Sequence, residues 1–416
     1  MTAAAVTHRP SPTPARDPMV LTWLMGVAVS WFGDAVWVVA LAWTAAHTLS
    51  PGLAGVVLAA EMVPQAGLVL VGGVVADRFD PRRVLLAGYL ARAVVLVAGA
   101  AAWHSGLDGA ATLGAVALSF GVAAGLTIPS GSALIRSLVA PEHLGAVMGW
   151  NQVSGRVMRL IGAPVGGVVV AIGGPVAAML LDATTFLAIA LVIGCVVRPR
   201  YPLPRATEAR WRQSFTAGVR YLRATASARL LVVGLTALNV FVTPITALGL
   251  ALRVEGSGWG SHWLGLADGA LAAGAILGSL AAIRWLPARS AAAGFRVLVV
   301  QGLALACIGA SWKPGVMAGM FVVGVTAGLA SVWLSSAFLA TIDPAYVGRV
   351  SSVTALGDMA LLPLSVPLLG FAAGAVGLLP TTIAFGAAMA SLCLWFATRP
   401  ELAHIRPSPV ESDSPT

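Results

Sequence analysis

Apolar runs of twenty or more residues recur along the whole chain, separated by short hydrophilic connections. Each run is long enough to cross a hydrocarbon core of about 30 Å. Twelve can be read, near residues 19–46, 52–76, 84–103, 110–135, 146–172, 176–197, 230–252, 263–286, 293–312, 315–340, 350–373 and 379–398. Their continuity predicts helices, because barrel strands would alternate apolar and polar positions, whereas a helix satisfies its own backbone in lipid. A length of 416 residues would ordinarily hold two or three soluble domains. A composition 58% hydrophobic and 10% charged, with 47 glycines, excludes that. The expected fold is all-α, a polytopic membrane protein with twelve transmembrane helices. The first run is too long for the apolar stretch of a signal peptide and lacks a cleavage site, so it is expected to remain as the first span.

The formal net charge of +9 invites a nucleic-acid partner, but its placement argues against one. If the chain starts inside the cell, nearly all the arginines of the connections and tails fall on the inner side. The outer connections keep only Arg253 and Lys313. This positive-inside bias puts both termini in the cytoplasm. The preference for arginine over lysine fits a GC-rich bacterial genome, and hence a bacterial inner membrane. Cys195, Cys307 and Cys393 all fall inside predicted spans without ligand spacing and read as small packing residues. No metal and no cofactor is expected. Residues 1–17 and 400–416 are rich in Pro, Ser and Thr and are expected to be disordered.

The chain repeats itself at an offset of 203 residues. Gly121-Val122-Ala123-Ala124-Gly125-Leu126 returns as Gly324-Val325-Thr326-Ala327-Gly328-Leu329, and the Pro141–Gly145 turn returns as Pro344–Gly348. The expected organisation is a cytoplasmic tail (1–18), a six-helix bundle (19–197), a cytoplasmic linker (198–229), a second six-helix bundle (230–398) and a C-terminal tail (399–416). The linker reads as an amphipathic helix on the inner leaflet, arginines towards headgroups and aromatics towards acyl chains; a plain tether fits as well. Glycines four residues apart, at 121/125, 162/166, 274/278, 324/328 and 370/374, signal close helix approach.

Between the second and third spans lies Gly73-Val74-Val75-Ala76-Asp77-Arg78-Phe79-Asp80-Pro81-Arg82-Arg83. Gly73, Asp77, Arg78, Arg82 and Arg83 resemble the signature loop of the major facilitator superfamily, and Asp80 and Pro81 depart from it. The Asp-Arg-Phe-Asp form is similar to the branch holding macrolide, multidrug and enterobactin exporters. Phe215, Gly218, Tyr221 and Leu222 match a pattern that opens the second half in that branch. Gly162-Ala163-Pro164-Val165-Gly166-Gly167 resembles the antiporter motif with its proline displaced by one. The resemblance implies two pseudo-symmetric six-helix bundles with the site between them. It further implies that Asp77 holds one state by meeting the N-terminus of the eleventh helix near Arg349, where an anion is physically favoured. The matching loop of the second half has Ala282 in the acid's place, so this contact is one-sided.

Charged side chains inside spans are costly and need a reason. Asp34, Glu61 and Asp182 lie in the first half with Arg92, Arg156 and Arg159, so pairing there would keep several ionised. Asp268 and Asp358 lie in the second half without a base. An unpartnered carboxylate at depth can take and release a proton, which makes Asp34, Glu61, Asp268 and Asp358 the proton-coupling candidates. Asp34 leads because the first span lines the cavity in the resembled family and shares its face with Ser30 and Trp37. Glu61 follows, through a breakable pairing with Arg156 or Arg159, and Gln65 lies one turn further on. Gln152 shares a face with the two arginines. Asp182 and Asp268 sit within two turns of the outer surface, where hydration would account for them equally. Arg92 is read near the inner end, pairing with a loop acid. Many drug–proton antiporters carry an arginine in the fourth span; residues 110–135 contain none.

An ATP-driven pump is disfavoured by the lack of a phosphate-binding Gly-x-x-x-x-Gly-Lys loop, Lys313 being the only lysine. An enzyme is disfavoured because every histidine lies in a tail or connection. The expected activity is proton-coupled export of small lipophilic compounds by a monomer in the bilayer, with protons and a small molecule as partners. Export of an endogenous metabolite such as a siderophore, or lipid transport, is the alternative. Acids beside Trp31, Trp37 and Trp43 suit a lipophilic cation, whereas the arginine face of the fifth span suits an anion. Reporter fusions test the topology. A periplasm-dependent phosphatase joined within 198–229 is expected to be inactive and a fluorescent protein there active; the reverse would overturn the orientation.

Overall fold

The computed structural model describes residues 13–201 and 208–403. No strand occurs among them; nearly every residue is helical. The helices are α1 (Pro18–Thr48), α2 (Pro51–Arg78), α3 (Pro81–His104) and α4 (Ala110–Leu138). A run Leu144–Cys195 follows, divided at Gly174 into α5 (144–173) and α6 (175–195). The amphipathic helix α7 spans Glu208–Ala224. Then come α8 (Ala226–Gly256, with a π-helical turn at Ile245–Gly249), α9 (Ser261–Arg284), α10 (Ser290–Ile308), α11 (Lys313–Thr341), α12 (Val347–Val376), α13 (Leu378–Ala397) and the short α14 (Pro400–Ala403). Eleven runs among the described residues are long and apolar enough to cross a membrane. The longest folds back on itself, which gives twelve passages.

Glycine makes the fold-back possible. Gly174 adopts φ 62° and ψ −165°, a conformation essentially closed to residues with a Cβ. The chain turns there, so α1 meets α6 in antiparallel order, Gly26 against Ile189 and Gly33 against Asp182, while Gly155, Gly162 and Gly166 of α5 climb alongside Trp31, Ala35 and Val36. At the same place in the second half, 203 residues on, Gly377 joins α12 to α13 with φ 91° and ψ 159°. The repeat read from the sequence therefore extends to a backbone conformation.

The spaced glycines pack as close contacts. Gly121 and Gly125 lie on the α2 backbone at Glu61 and Gln65, and Gly324 and Gly328 lie on the α9 backbone at Leu271 and Ala275. Four of the five pairs are contact points throughout; in the fifth, Gly370 meets Pro51 but Gly374 faces open space. Small residues at such crossings let van der Waals contact replace the hydrophobic drive that lipid does not supply.

The halves meet through symmetry-related helices, α2 with α12 and α5 with α9. Gly55 abuts Pro367 and Val366, Gly370 abuts Pro51, and Gly167 and Gly265 abut His262 and Pro164. Ser261 Oγ donates to the Gly167 carbonyl at 2.8 Å. All these contacts lie towards one face. Towards the other, which carries the beginning of α1, the end of α13 and α7, a Cβ added at Gly73, Gly145, Gly149 or Gly348 would meet nothing within 4 Å. The halves are closed at one end and apart at the other.

Several expectations are corrected. The N- and C-terminal tails are ordered where described: Pro14–Arg16 is a 3-10 turn, Asp17 caps α1, and Leu402 of α14 is fully buried. The rest of both tails lies outside the described residues. Tyr221 of helix α7 does not turn to acyl chains. Gly218 lies on the Arg349 carbonyl, Tyr221 stacks on Tyr346 with centroids 4.7 Å apart, and the Tyr221 hydroxyl accepts the Asp343 N–H at 3.1 Å. Leu222 completes a small core with Ala228, Val232, Ile342 and Val350. Cys393 is buried as expected, but Cys195 and Cys307 lie at the surface.

Two outcomes follow from this fold. Replacing Gly174 or Gly377 with Ala is expected to cost about 1–3 kcal/mol each, read as a lower melting temperature in detergent; replacing Gly374, in open space, is expected to cost much less. At the open end Asp17 pairs with Arg200 and accepts the Met19 N–H. Burial pushes its carboxyl up, but the Arg200 hydrogen bond and charge and the backbone donors outweigh this, leaving it below the ordinary 3.8. Its stabilisation is therefore present at neutral pH and lost as acid protonates it. Melting of Asp17→Asn should be less sensitive to acidification below about pH 4 than melting of the wild type.

Candidate functional site

Polar side chains from five helices converge at mid-depth in the first half. Ser30, Asp34 and Trp37 come from α1, Glu61 from α2, Tyr89 and Arg92 from α3, Arg159 from α5, and Asp182 and Thr185 from α6. Arg92 lies within electrostatic reach of Asp34, Glu61, Asp182 and Tyr89, and Arg159 within reach of Asp34. None of these carboxylates forms an ion pair. The ion pairs among the described residues are His47–Glu255, at 3.8 Å, and Arg200–Asp17, both at helix ends.

What holds Arg92 instead is aromatic. Its guanidinium lies over the rings of Phe120 and Phe186, 5.1 and 5.4 Å from their centroids. Its Nε is buried without a hydrogen-bond acceptor. Asp182 is fully buried, with one oxygen accepting from the Thr185 hydroxyl at 2.9 Å and the other unpartnered. Glycine at position 33 leaves the room Asp182 needs. Glu61 approaches the Trp37 indole without completing a hydrogen bond, so Trp37 Nε1 is also left open. Buried polar atoms are normally satisfied; three of the ten unpartnered ones among the described residues belong to this cluster.

The structure corrects three pairings. Arg92 sits at the centre of the cluster rather than with a loop acid. Glu61 faces Arg92 and Asp34 instead of Arg156 or Arg159. Asp182 is sealed by α1 rather than hydrated. Tyr89, Phe120, Phe186 and Thr185 belong to the cluster and carry no charge signal in the sequence, so nothing but three-dimensional proximity reveals them.

The remaining candidates lie outside this cluster, on α2, α5, α9 and α12. Arg156 lies on the α5 face that, two turns further on, meets α9 through Ala163, and it is exposed, as are Gln152 and Arg159. Gln65 lies beside Gly125 on α2. In the second half, Asp358 accepts a hydrogen bond from Asn239 Nδ2 at 3.2 Å, and Asp268 is half-buried on α9 near the α5 contact, with no bond to either oxygen. The loop residues are split in role. Asp80 accepts the Arg82 N–H at 2.9 Å and Pro81 takes the first turn of α3, a favoured helix start, which explains both departures from the family pattern. Arg82 Nε binds the Ile193 carbonyl at 2.9 Å, fastening the loop to the end of α6. Arg78, Asp77 and Arg83 are exposed, and Asp77 makes no bond to α12. Arg349 stacks on Tyr346 at 5.0 Å instead.

Twelve apolar passages in two related halves, joined at one end and apart at the other around polar side chains at mid-depth, define a multi-pass membrane transporter. The Major Facilitator Superfamily family model matches residues 23–366, and the chain belongs to that superfamily. It is a transporter and not an enzyme. No curated protein matches the sequence. Among solved structures, the nucleoside transporter NupG superposes with a TM-score of 0.73 at 12% identity, covering 91% of this chain and 98% of that one. A bacterial homologue of the human lysosomal transporter Spinster, inward-facing and unoccupied, gives 0.68 at 14% identity, covering 96% and 99%. A bacterial homologue of the iron transporter ferroportin, inward-facing, gives 0.67 at 16% identity, covering 92% and 99%. At these identities the likeness establishes the fold alone.

Proposed function

We propose that the protein is a proton-coupled exporter of small lipophilic compounds in a bacterial inner membrane, working by alternating access, and that the open end faces the cytoplasm. The orientation rests on the inner-side arginines, among them Arg78, Arg82, Arg83, Arg198, Arg200, Arg220, Arg223 and Arg349, which lie at the open end, as the positive-inside rule requires of a cytoplasmic face. The inward-facing state of two of the solved neighbours supports the same assignment.

One observation carries the coupling: Asp34, Glu61 and Asp182 share Arg92, with Arg159 also near Asp34, and none of them forms an ion pair. Acids tied to a cation would stay ionised throughout a cycle. Here Asp34 and Glu61 keep partial exposure, which leaves them open to protonation and to a cationic guest in the course of the cycle. Binding of a lipophilic cation and binding of a proton then compete for the same carboxylates, which is what exchange requires. Trp31 of α1 adds an aromatic wall suited to such a guest. On the other wall Asp268 and Asp358 await the same test as secondary proton carriers. Asp77 and Arg349, apart in this state, are proposed to meet when the open end closes.

The exposed Arg156 favours a second reading, an anionic endogenous metabolite such as a siderophore. A broad compound panel in a hypersensitive host, with and without an uncoupler, separates the two. For the coupling, Asp34→Asn at normal expression is expected to lower proton-driven efflux from proteoliposomes by roughly tenfold, equivalent to about 1.4 kcal/mol. Unchanged efflux would remove Asp34 from the mechanism.

A further inference from the structure

Four aromatic rings from four helices form a continuous wall beside the Arg92 guanidinium, whose Nε is buried. Trp37 of α1 lies 5.9 Å from Phe120 of α4, Phe120 lies 5.5 Å from Phe186 of α6, and Phe186 lies 5.8 Å from Tyr89 of α3. Trp37, Phe120 and Phe186 are each at most 3% exposed, so they are fixed by the packing of the bundle. Arg92 rests on the two central rings, and no carboxylate within its reach comes close enough to bond it.

We infer that Phe120 and Phe186 are positioning residues, clamping Arg92 by cation–π contact so that it acts on three carboxylates without pairing with any of them. The inference rests on the proton-coupled reading above and deepens it. A guanidinium free to move among three carboxylates would settle on one of them, because the attraction of a close pair grows as the dielectric falls. The captured acid would then be locked ionised and lost to proton exchange. Two ring faces supply an alternative attraction of fixed geometry, and the unpartnered Arg92 Nε and Asp182 Oδ2 fit a cation held away from its counter-ions. Ordinary core aromatics would predict the opposite arrangement, with Arg92 bonded to an acid and the rings merely filling space.

The test uses the full-length protein with Phe186 replaced by Leu, or by mono- and trifluorinated phenylalanines, which keep the ring's shape while draining its negative face. Two readouts are taken: the ratio of proton-driven transport to uncoupled counterflow in proteoliposomes, and the difference in melting temperature between about pH 5 and about pH 8 in detergent. The expected result is a stepwise fall in the ratio with fluorine number, reaching about fivefold for the trifluoro and Leu proteins, together with an altered pH dependence of melting. A trifluoro protein matching wild type in both readouts, or a Leu protein destabilised equally at both pH values with its ratio intact, would overturn the clamp. If the wild type shows counterflow but no proton drive, the proton-coupled reading fails by itself, and the melting comparison still decides whether the rings hold Arg92.

Discussion

Hydrocarbon offers a charged side chain no solvent, and every charge kept at depth must be tolerated by other side chains. In this protein the tolerated charges are few and concentrated. Three acids and Arg92 share one pocket of the first half, and two acids stand apart in the second. Ion pairing is the usual remedy, yet here the ion pairs lie at helix ends. The unpaired arrangement at the centre is costly to the fold, and the bundle around it is correspondingly specialised: Gly33 makes room for Asp182, and Phe120 and Phe186 receive the guanidinium.

The same solvent dictates how the helices assemble. Apolar surface gains nothing by leaving lipid, so cohesion has to come from contact, and glycine permits the closest contact. The crossings of α2 with α4 and of α9 with α11 use glycines against backbone carbonyls in both halves. Equivalent helices then join the halves, α2 to α12 and α5 to α9, at one end only. A joint confined to one end, between two otherwise separate bundles, is a geometry that can rock. The glycine turns at 174 and 377 give the last hairpin of each bundle a similar backbone shape.

How much was legible beforehand follows from what each feature depends on. Span number and the all-helical class follow from continuous apolar runs. The half-repeat follows from shared Pro and Gly positions, and the two glycine turns show that it was deeper than the side-chain match. The signature loop was readable as a family likeness, but its odd Asp80-Pro81 pair made sense only as a cap on α3. Pairings inside the bundle were not legible. Glu61, Arg92 and Asp182 are separated by long stretches of sequence, and their depth along each helix says nothing about rotation around it. Arg92 in particular was placed by its distance from a loop, whereas its partners come from helices on every side. Aromatic contacts to a cation leave no pattern that packing would not also produce.

The most direct test of the account is a pair of distances measured by spin labels in a background lacking the three cysteines. One pair, at Met148 and Ile283, spans the open end between α5 and α9; the other, at Leu53 and Leu368, spans the closed end between α2 and α12. On moving between about pH 8 and about pH 5, or on adding a transported compound, the account predicts reciprocal change, the first distance shortening as the second lengthens. Two distances that stay fixed, or that lengthen together, would contradict it.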